Sequence, residues 1–278
     1  MRWLWRGLAG VALLFLLILT PLYAVSSAEL GRQWPTEKVA LVSAGDPGAV
    51  ARGARLARLF GCVDCHGADL RGSKYFDDPM IARLWSANLT LLTPTWSDAD
   101  FASVLRTGVS PQGRGLINMP SFALQRMNDQ EIADVVAYLR GLPVGGPVRH
   151  RPSVGPIGRV GLITRQYQTQ PAMVADARRR PLPDFGPAFA QGRSLARTCA
   201  ECHGADLKGD KMIPAPDLLI AASYSQGDFE HLLRTGIATN HRRLPLMSES
   251  APKRFNVLTH DEIAALHAYL LKRAERTR

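Results

Sequence analysis

Two stretches of the chain arrange their apolar residues in the same helical rhythm. Ile132, Val135, Val136 and Leu139 fall at i, i+3, i+4 and i+7, and Ile263, Leu266, His267 and Leu270 repeat that spacing. Each stretch opens on a capping box, Asn128 with Glu131 and Thr259 with Glu262, in which each side chain answers the other residue's free backbone donor. Upstream of each lies a shorter predicted helix with an acidic first turn, Ser97 with Asp100 and Ser225 with Asp228. These stop at Gly108 and Gly236, suited to left-handed caps. A third helical candidate starts at Gly53 ("GARLARLFG") and again at Gly192 ("GRSLART"). Neither copy shows a strand pattern.

The likeness is a true internal repeat. "FASVLRTG" from Phe101 returns as "FEHLLRTG" from Phe229, and "DQEIADVVAYL" from Asp129 returns as "HDEIAALHAYL" from His260, in the same order. A repeat of about a hundred residues is a whole domain rather than a solenoid unit. The pattern therefore predicts an all-α chain with two tandem domains, 44–143 and 185–278. The linker between them, 144–184, is rich in proline, glycine and arginine, and its stretch from Gly155 can form a short helix packed on a domain.

The N-terminus adds a targeting reading. Arg2 and Arg6 precede the uncharged run from Leu8 to Val25, long enough for a membrane helix or a signal segment. Residues 1–28 are thus a membrane anchor, with Trp3, Trp5 and Tyr23 at its two interfaces, or a signal peptide cleaved near Ser26, Ser27 and Ala28. Both place the remaining chain on the periplasmic side of a bacterial inner membrane, tethered or soluble. The net charge of +10 does not argue for nucleic acid, because the arginines are scattered and no basic helix or aromatic-rich RNA-binding motif accompanies them. It suits acidic protein partners or anionic lipid.

The chemistry sits in the four cysteines, all within one repeated phrase: "CVDCHGADLRG" from Cys62 and "CAECHGADLKG" from Cys199, identical at eight of eleven positions. Cys-x-x-Cys-His is the attachment signature of c-type haem. A turn of helix projects two thiols to one side, where they can add to the vinyl groups, and the next residue brings an imidazole beneath the iron. Cys62, Cys65 and His66 would hold one haem, and Cys199, Cys202 and His203 a second. Zinc would need four ligands per site, which each copy supplies poorly, and a thioredoxin-like pair would need alternating strands and helices.

Aligned on "RTG", Met119 and Met247 stand at the same distance, thirteen residues, after Arg106 and Arg234, which marks them as the opposite axial ligands. Met80, Met127, Met173 and Met212 have no counterpart in the other copy. The copies are not equal: proline follows Met119 but precedes Met247 by two residues, the second copy is nine residues shorter between His203 and Arg234, and His241 lies close enough in sequence to compete. Arg106 and Arg234 could pair with haem propionates or simply answer a helix dipole. His267 reads as a packing residue, and Arg178 to Arg180 as solvated linker.

With these residues in view, each copy resembles a class I cytochrome c domain. The resemblance rests on "CVDCHG" and "CAECHG", the "NMP" and "PLM" loops, and closing helices bearing Tyr138 and Tyr269. It implies that the first and last helices of each domain cross, with Gly53 against Tyr138 and Gly192 against Tyr269. The whole arrangement is similar to membrane-associated dihaem cytochromes c of bacterial electron-transport chains. That implies a single-electron carrier working with redox partners such as a dehydrogenase, a quinone-linked complex or a terminal oxidase. The alternative is a dihaem enzyme, a peroxidase or a sulfur-compound oxidoreductase, whose second iron can open.

Overall fold

The computed structural model describes residues 1–37, 40–210 and 213–276. It is mostly helical, as the periodicity predicts. Helix α1 (Arg2–Leu30) runs ahead of the first repeat, its apolar side chains exposed along most of its length. The first repeat follows: α2 (Pro47–Leu59), started by Asp46 accepting from the Ala49 amide, and then α3 (Cys62–His66). Strands β1 (Lys74–Asp78) and β2 (Ala82–Trp85) come next, then α4 (Asp98–Thr107), α5 (Ser121–Leu124) and α6 (Asp129–Arg140). The capping boxes at Ser97 and Asn128 both form, and Gly108 ends α4 at φ 68°.

The hairpin β1–β2 corrects the expectation of no strands. Its two strands pair antiparallel, and β2 pairs in turn with β3 (Ser153–Val154) from the linker. Strands this short carry no readable alternation, and their third member arrives from some seventy residues away. The linker continues with α7 (Pro156–Ile163), at the place expected from the Gly155 stretch, and α8 (Gln170–Arg179). The second repeat comprises α9 (Ala190–Ala196), α10 (Ala200–His203), α11 (Gln226–Thr235), α12 (Met247–Arg254) and α13 (His260–Glu275). The hairpin has no equivalent among the described residues of this copy.

In each domain the first and last helices cross at a glycine. A Cβ on Gly53 would lie 1.9 Å from the Asp134 carbonyl oxygen and 2.8 Å from Tyr138 Cβ; one on Gly192 would lie 2.1 Å from the Ala265 carbonyl oxygen and 2.7 Å from Tyr269 Cβ. Both glycine–tyrosine pairs are therefore where the resemblance puts them. Behind each crossing lies a core, built on Leu70, Phe101, Ile132 and Val136 in the first domain and on Leu207, Leu233, Ile263 and Tyr269 in the second.

Beside the first crossing, Arg52 holds the buried Asp134 carboxylate through two bonds of 2.7 and 2.9 Å. The arginine keeps this carboxyl below the usual carboxylate range, against the opposing effect of its burial, with help from Gln130. A depressed folded pKa contributes stability that is complete above the unfolded value, about 3.9, and is lost as pH falls through the lower folded value. Arg52→Ala is expected to raise the pH of the acid-unfolding midpoint, read by circular dichroism. An unchanged midpoint would show that the pair is not coupled to folding.

The domains dock through reciprocal arginines. Arg55 of α2 reaches the α13 capping-box residue Glu262 at 2.5 Å and the Val257 carbonyl at 3.1 Å. Arg197 reaches the equivalent Glu131 of α6 at 2.7 and 3.0 Å. Each bridge thus anchors on the glutamate that starts the other domain's closing helix. Leu59 and Ala123 of the first domain are counted into the second domain's core, with Phe122 packed against it, so the interface is apolar as well as charged. The linker arginines are not a purely solvated run. Arg178 bonds the Arg106 carbonyl and the Gln125 side chain at 3.3 Å each, and Arg180 pairs with Asp206 at 3.4 Å, so the end of α8 ties to both domains.

Candidate functional site

The first repeated phrase opens onto a cavity of about 790 Å³, within the range of cofactor pockets, about 300–1,000 Å³. Its walls include Cys62, Cys65, His66 and Met119, together with Phe101, Leu105, Val136 and Leu139. Motif and methionine, fifty residues apart in sequence, share one apolar space. Both Met119 and Met247 are half-buried, Met119 packed on the first core and Met247, like Cys199, on the second.

The two histidines are posed alike. His66 Nδ1 lies 2.8 Å from the Ala87 carbonyl oxygen, and His203 Nδ1 lies 2.7 Å from that of Pro216. A ring nitrogen facing a carbonyl carries the proton, so Nε2 keeps its lone pair for a metal. Burial pushes both imidazoles below their ordinary pKa, more than the carbonyl bond raises it, which favours the neutral, ligating form. These carbonyls come from segments of different length, 21 residues after His66 and 13 after His203. Most of the shortening in the second copy therefore removes the hairpin and spares the contact. Asn88 and Asp217, one residue further on, each cap a short 3-10 turn through their side chains.

The four thiols are half-exposed as whole residues and form no disulfide. Burial of the sulfur raises Cys62 and Cys199 to about 12 each and Cys65 to about 11, and raises Cys202 as well. Such thiols stay protonated at neutral pH. Zinc would require deprotonated ligands, and no cluster of three or more potential metal ligands exists among the described residues. A prosthetic group that bonds the two sulfurs covalently and takes imidazole on one side fits this donor set.

Other expected roles resolve differently. Arg106 pairs with Asp129 at the start of α6, and Arg234 donates to the Leu258 carbonyl at 2.8 Å and pairs with Glu230 at 3.2 Å. Both fasten helices, and neither lines the first cavity. The cations that do are Arg114, Arg149 and Arg151, which sequence reasoning missed; the last two sit on the linker. His267 packs as expected, stacked on Phe229 at 4.6 Å with Nδ1 against Gln226. His241 is exposed on a turn at φ 59°, Met80 lies exposed at the hairpin turn, Met127 is core, and Met173 accepts from Gln170. Met212 lies outside the described residues.

The loops carrying the methionines differ in support. The first is strapped from outside: Tyr167 Oη donates to the Ile117 carbonyl at 2.6 Å, the Gln170 amide to Leu116 at 2.8 Å, and Asn118 to Tyr75 Oη at 2.9 Å. The linker and the hairpin thus hold Met119 in place. The second loop is closed by its own neighbours. Ser248 Oγ donates to the Gly236 carbonyl and accepts from the Leu244 amide at 2.7 Å, and Leu246 beside Met247 stays exposed.

A family model for cytochrome c matches residues 50–143 and again 189–274, more than half of the chain. The chain belongs to the cytochrome c family. Membership carries covalently bound c-type haem and haem-based electron transfer with it, and the two matched stretches are the two repeats described above. No curated protein matches the chain.

Proposed function

We propose that this cytochrome c carries two haems, one per domain, and passes single electrons between a membrane or periplasmic donor and an acceptor. The observation that carries this reading is the repeated pose of His66 and His203, each with Nδ1 engaged by a carbonyl and Nε2 left to ligate. In each domain the two cysteines would attach the haem, and His66 with Met119, or His203 with Met247, would be the residues that hold its iron. When bound, haem supplies the one-electron iron couple; no substrate bond is made or broken. The protein's part would be to exclude water with apolar walls and to offer a histidine and a methionine to the iron. Methionine and imidazole together favour reduced iron. Arg114, Arg149 and Arg151 are suited to the propionates of the first haem.

The N-terminal helix serves as a tether in this reading. Arg159 of α7 donates to Ser26 and Ser27 at 2.7 and 2.9 Å and lies over the Tyr23 ring at 4.3 Å. The expected cleavage point near Ser26, Ser27 and Ala28 thus lies within a packed contact. A tether raises the effective concentration of the carrier near membrane partners. Donor and acceptor are a dehydrogenase, a quinone-linked complex or a terminal oxidase, met through a basic surface.

A dihaem enzyme is the second reading, favoured only by the Met247 loop, which is held by its own neighbours and lacks the linker and hairpin straps of the first. A haemochrome assay on the purified protein, with reduced spectra taken with and without carbon monoxide, tests both. Two haems per chain and no change with carbon monoxide are expected. One haem per chain would overturn the dihaem assignment, and carbon monoxide binding at one of two haems would favour the enzyme.

A further inference from the structure

The third residue of each repeated motif is acidic, Asp64 in "CVDCH" and Glu201 in "CAECH". Arg254, at the end of α12, reaches both. Its Nε lies 2.5 Å from Asp64 Oδ2 and its Nη1 lies 2.5 Å from Glu201 Oε2. The arginine side chain is only 8% exposed, and the carboxylates about a fifth to a quarter. Two carboxylates at equivalent positions of two attachment helices therefore meet on one buried guanidinium, whose planar fork can serve both at once.

The surroundings are shaped for it. Gly61, immediately before the first motif, has φ 72°, and a Cβ there would fall 2.3 Å from Arg254 Cζ. A side chain at 61 would fill the slot. The second copy has Thr198 at the corresponding place, so the opening exists on one side only. Glu201 also lines the first domain's cavity, although it belongs to the second domain's motif. Asp64 and Glu201 each stand between the two cysteines of their motif, so Arg254 grips both attachment helices at their middle.

We infer that Arg254 is a positioning residue that bolts the two attachment helices together and fixes the route by which an electron crosses between the domains. This rests on the dihaem reading above. The crossing takes one electron from the reduced iron of one domain to the oxidised iron of the other, with no proton moved and no bond changed. Arg254 acts on it by holding the cysteine-bearing edges in a fixed register. Without the guanidinium, the partly buried Asp64 and Glu201 carboxylates lose the cation they share, and the helices separate.

The test uses the full-length holoprotein and the variants Arg254→Met, Arg254→Lys and Asp64→Asn. Haem content is counted first, and two haems per chain in wild type and variants keep the dihaem reading. Calorimetry should show one unfolding transition in the wild type and two in Arg254→Met. Electron exchange between the haems, followed after flash photoreduction, should slow by about tenfold or more. Arg254→Lys keeps the charge but not the fork and should fall between; Asp64→Asn should slow exchange while leaving each haem's absorption spectrum unchanged. Unchanged exchange and a single transition in a folded, dihaem Arg254→Met protein would overturn the inference. If that variant fails to fold, Asp64→Asn with unchanged exchange would do the same. One haem in the wild type would overturn the dihaem reading, and the inference with it.

Discussion

On the proposed dihaem reading, Gly53→Val is expected to take the haem count of the purified protein from two to one. The valine Cβ would have to occupy space 1.9 Å from the Asp134 carbonyl oxygen, so α2 and α6 must part by more than a side-chain adjustment allows. Overpacking by a methylene or two costs about 1–3 kcal/mol when neighbours can yield; a backbone carbonyl cannot, and the cost here is about 4 kcal/mol or more. That is a large fraction of the 5–15 kcal/mol that holds a typical domain folded. The consequence reaches the site directly. The helix α2 leads within two residues into Cys62, and Val135, Val136 and Leu139 of α6 wall the cavity. Parting the crossing therefore dismantles both the attachment helix's footing and the space behind it. Gly192→Val should do the same to the second domain, where the Ala265 carbonyl lies 2.1 Å from the added atom. The haemochrome assay reads both, and mass spectrometry of peptides bearing Cys62–Cys65 or Cys199–Cys202 identifies which haem is lost. Retention of both haems in Gly53→Val would show that the close crossing is dispensable.

What could be read from the chain alone was whatever is local or repeated. The motifs, the capping boxes at Asn128 and Thr259, the glycine stops and the register of the two methionines are all short-range patterns, and duplication doubled each signal. The hairpin escaped because "KYFDD" and "ARLW" are too short for a period and are completed by Ser153–Val154 of the linker, a pairing no local window contains. The acceptors of the two histidines escaped for a different reason: they are main-chain oxygens, so Ala87 and Pro216 need share no side-chain chemistry. Their trace was the capping residue that follows, Asn88 or Asp217, which could have aligned the segments despite the deletion. Arg254 sits in "PKRF", which reads as ordinary surface charge. It is buried only because two domains meet there, and its partners lie 190 and 53 residues away. Docking determines its role, and docking is what a repeat pattern leaves open.

Replacing the two methionines one at a time should expose the difference between the copies. If Met119 and Met247 are the distal ligands as proposed, Met119→Ala and Met247→Ala each remove a soft sulfur that favours reduced iron, so each is expected to lower the potential of one haem by on the order of 0.1 V, a modest part of the range axial ligands span, and to let that haem bind carbon monoxide. The loops predict unequal behaviour beyond this. Met119 stands in a segment whose backbone is held by Tyr167, Gln170 and Tyr75, and the Tyr167 hydroxyl is buried, its pKa raised by that burial. Alanine there leaves the strapped loop in place, and the vacancy is walled and apolar. Met247 is the first residue of α12, with exposed Leu246 before it and Ser248 closing the turn behind it, so alanine there leaves a vacancy open to water. Carbon monoxide should therefore bind faster in Met247→Ala than in Met119→Ala. Tyr167→Phe, which cuts one strap without touching a ligand, should speed binding to the first haem in the Met119→Ala background and leave the second unchanged. Equal rates in the two alanine variants, with no response to Tyr167→Phe, would mean that the straps do not govern access to the first site. An unchanged potential in Met247→Ala would remove Met247 from the ligand set.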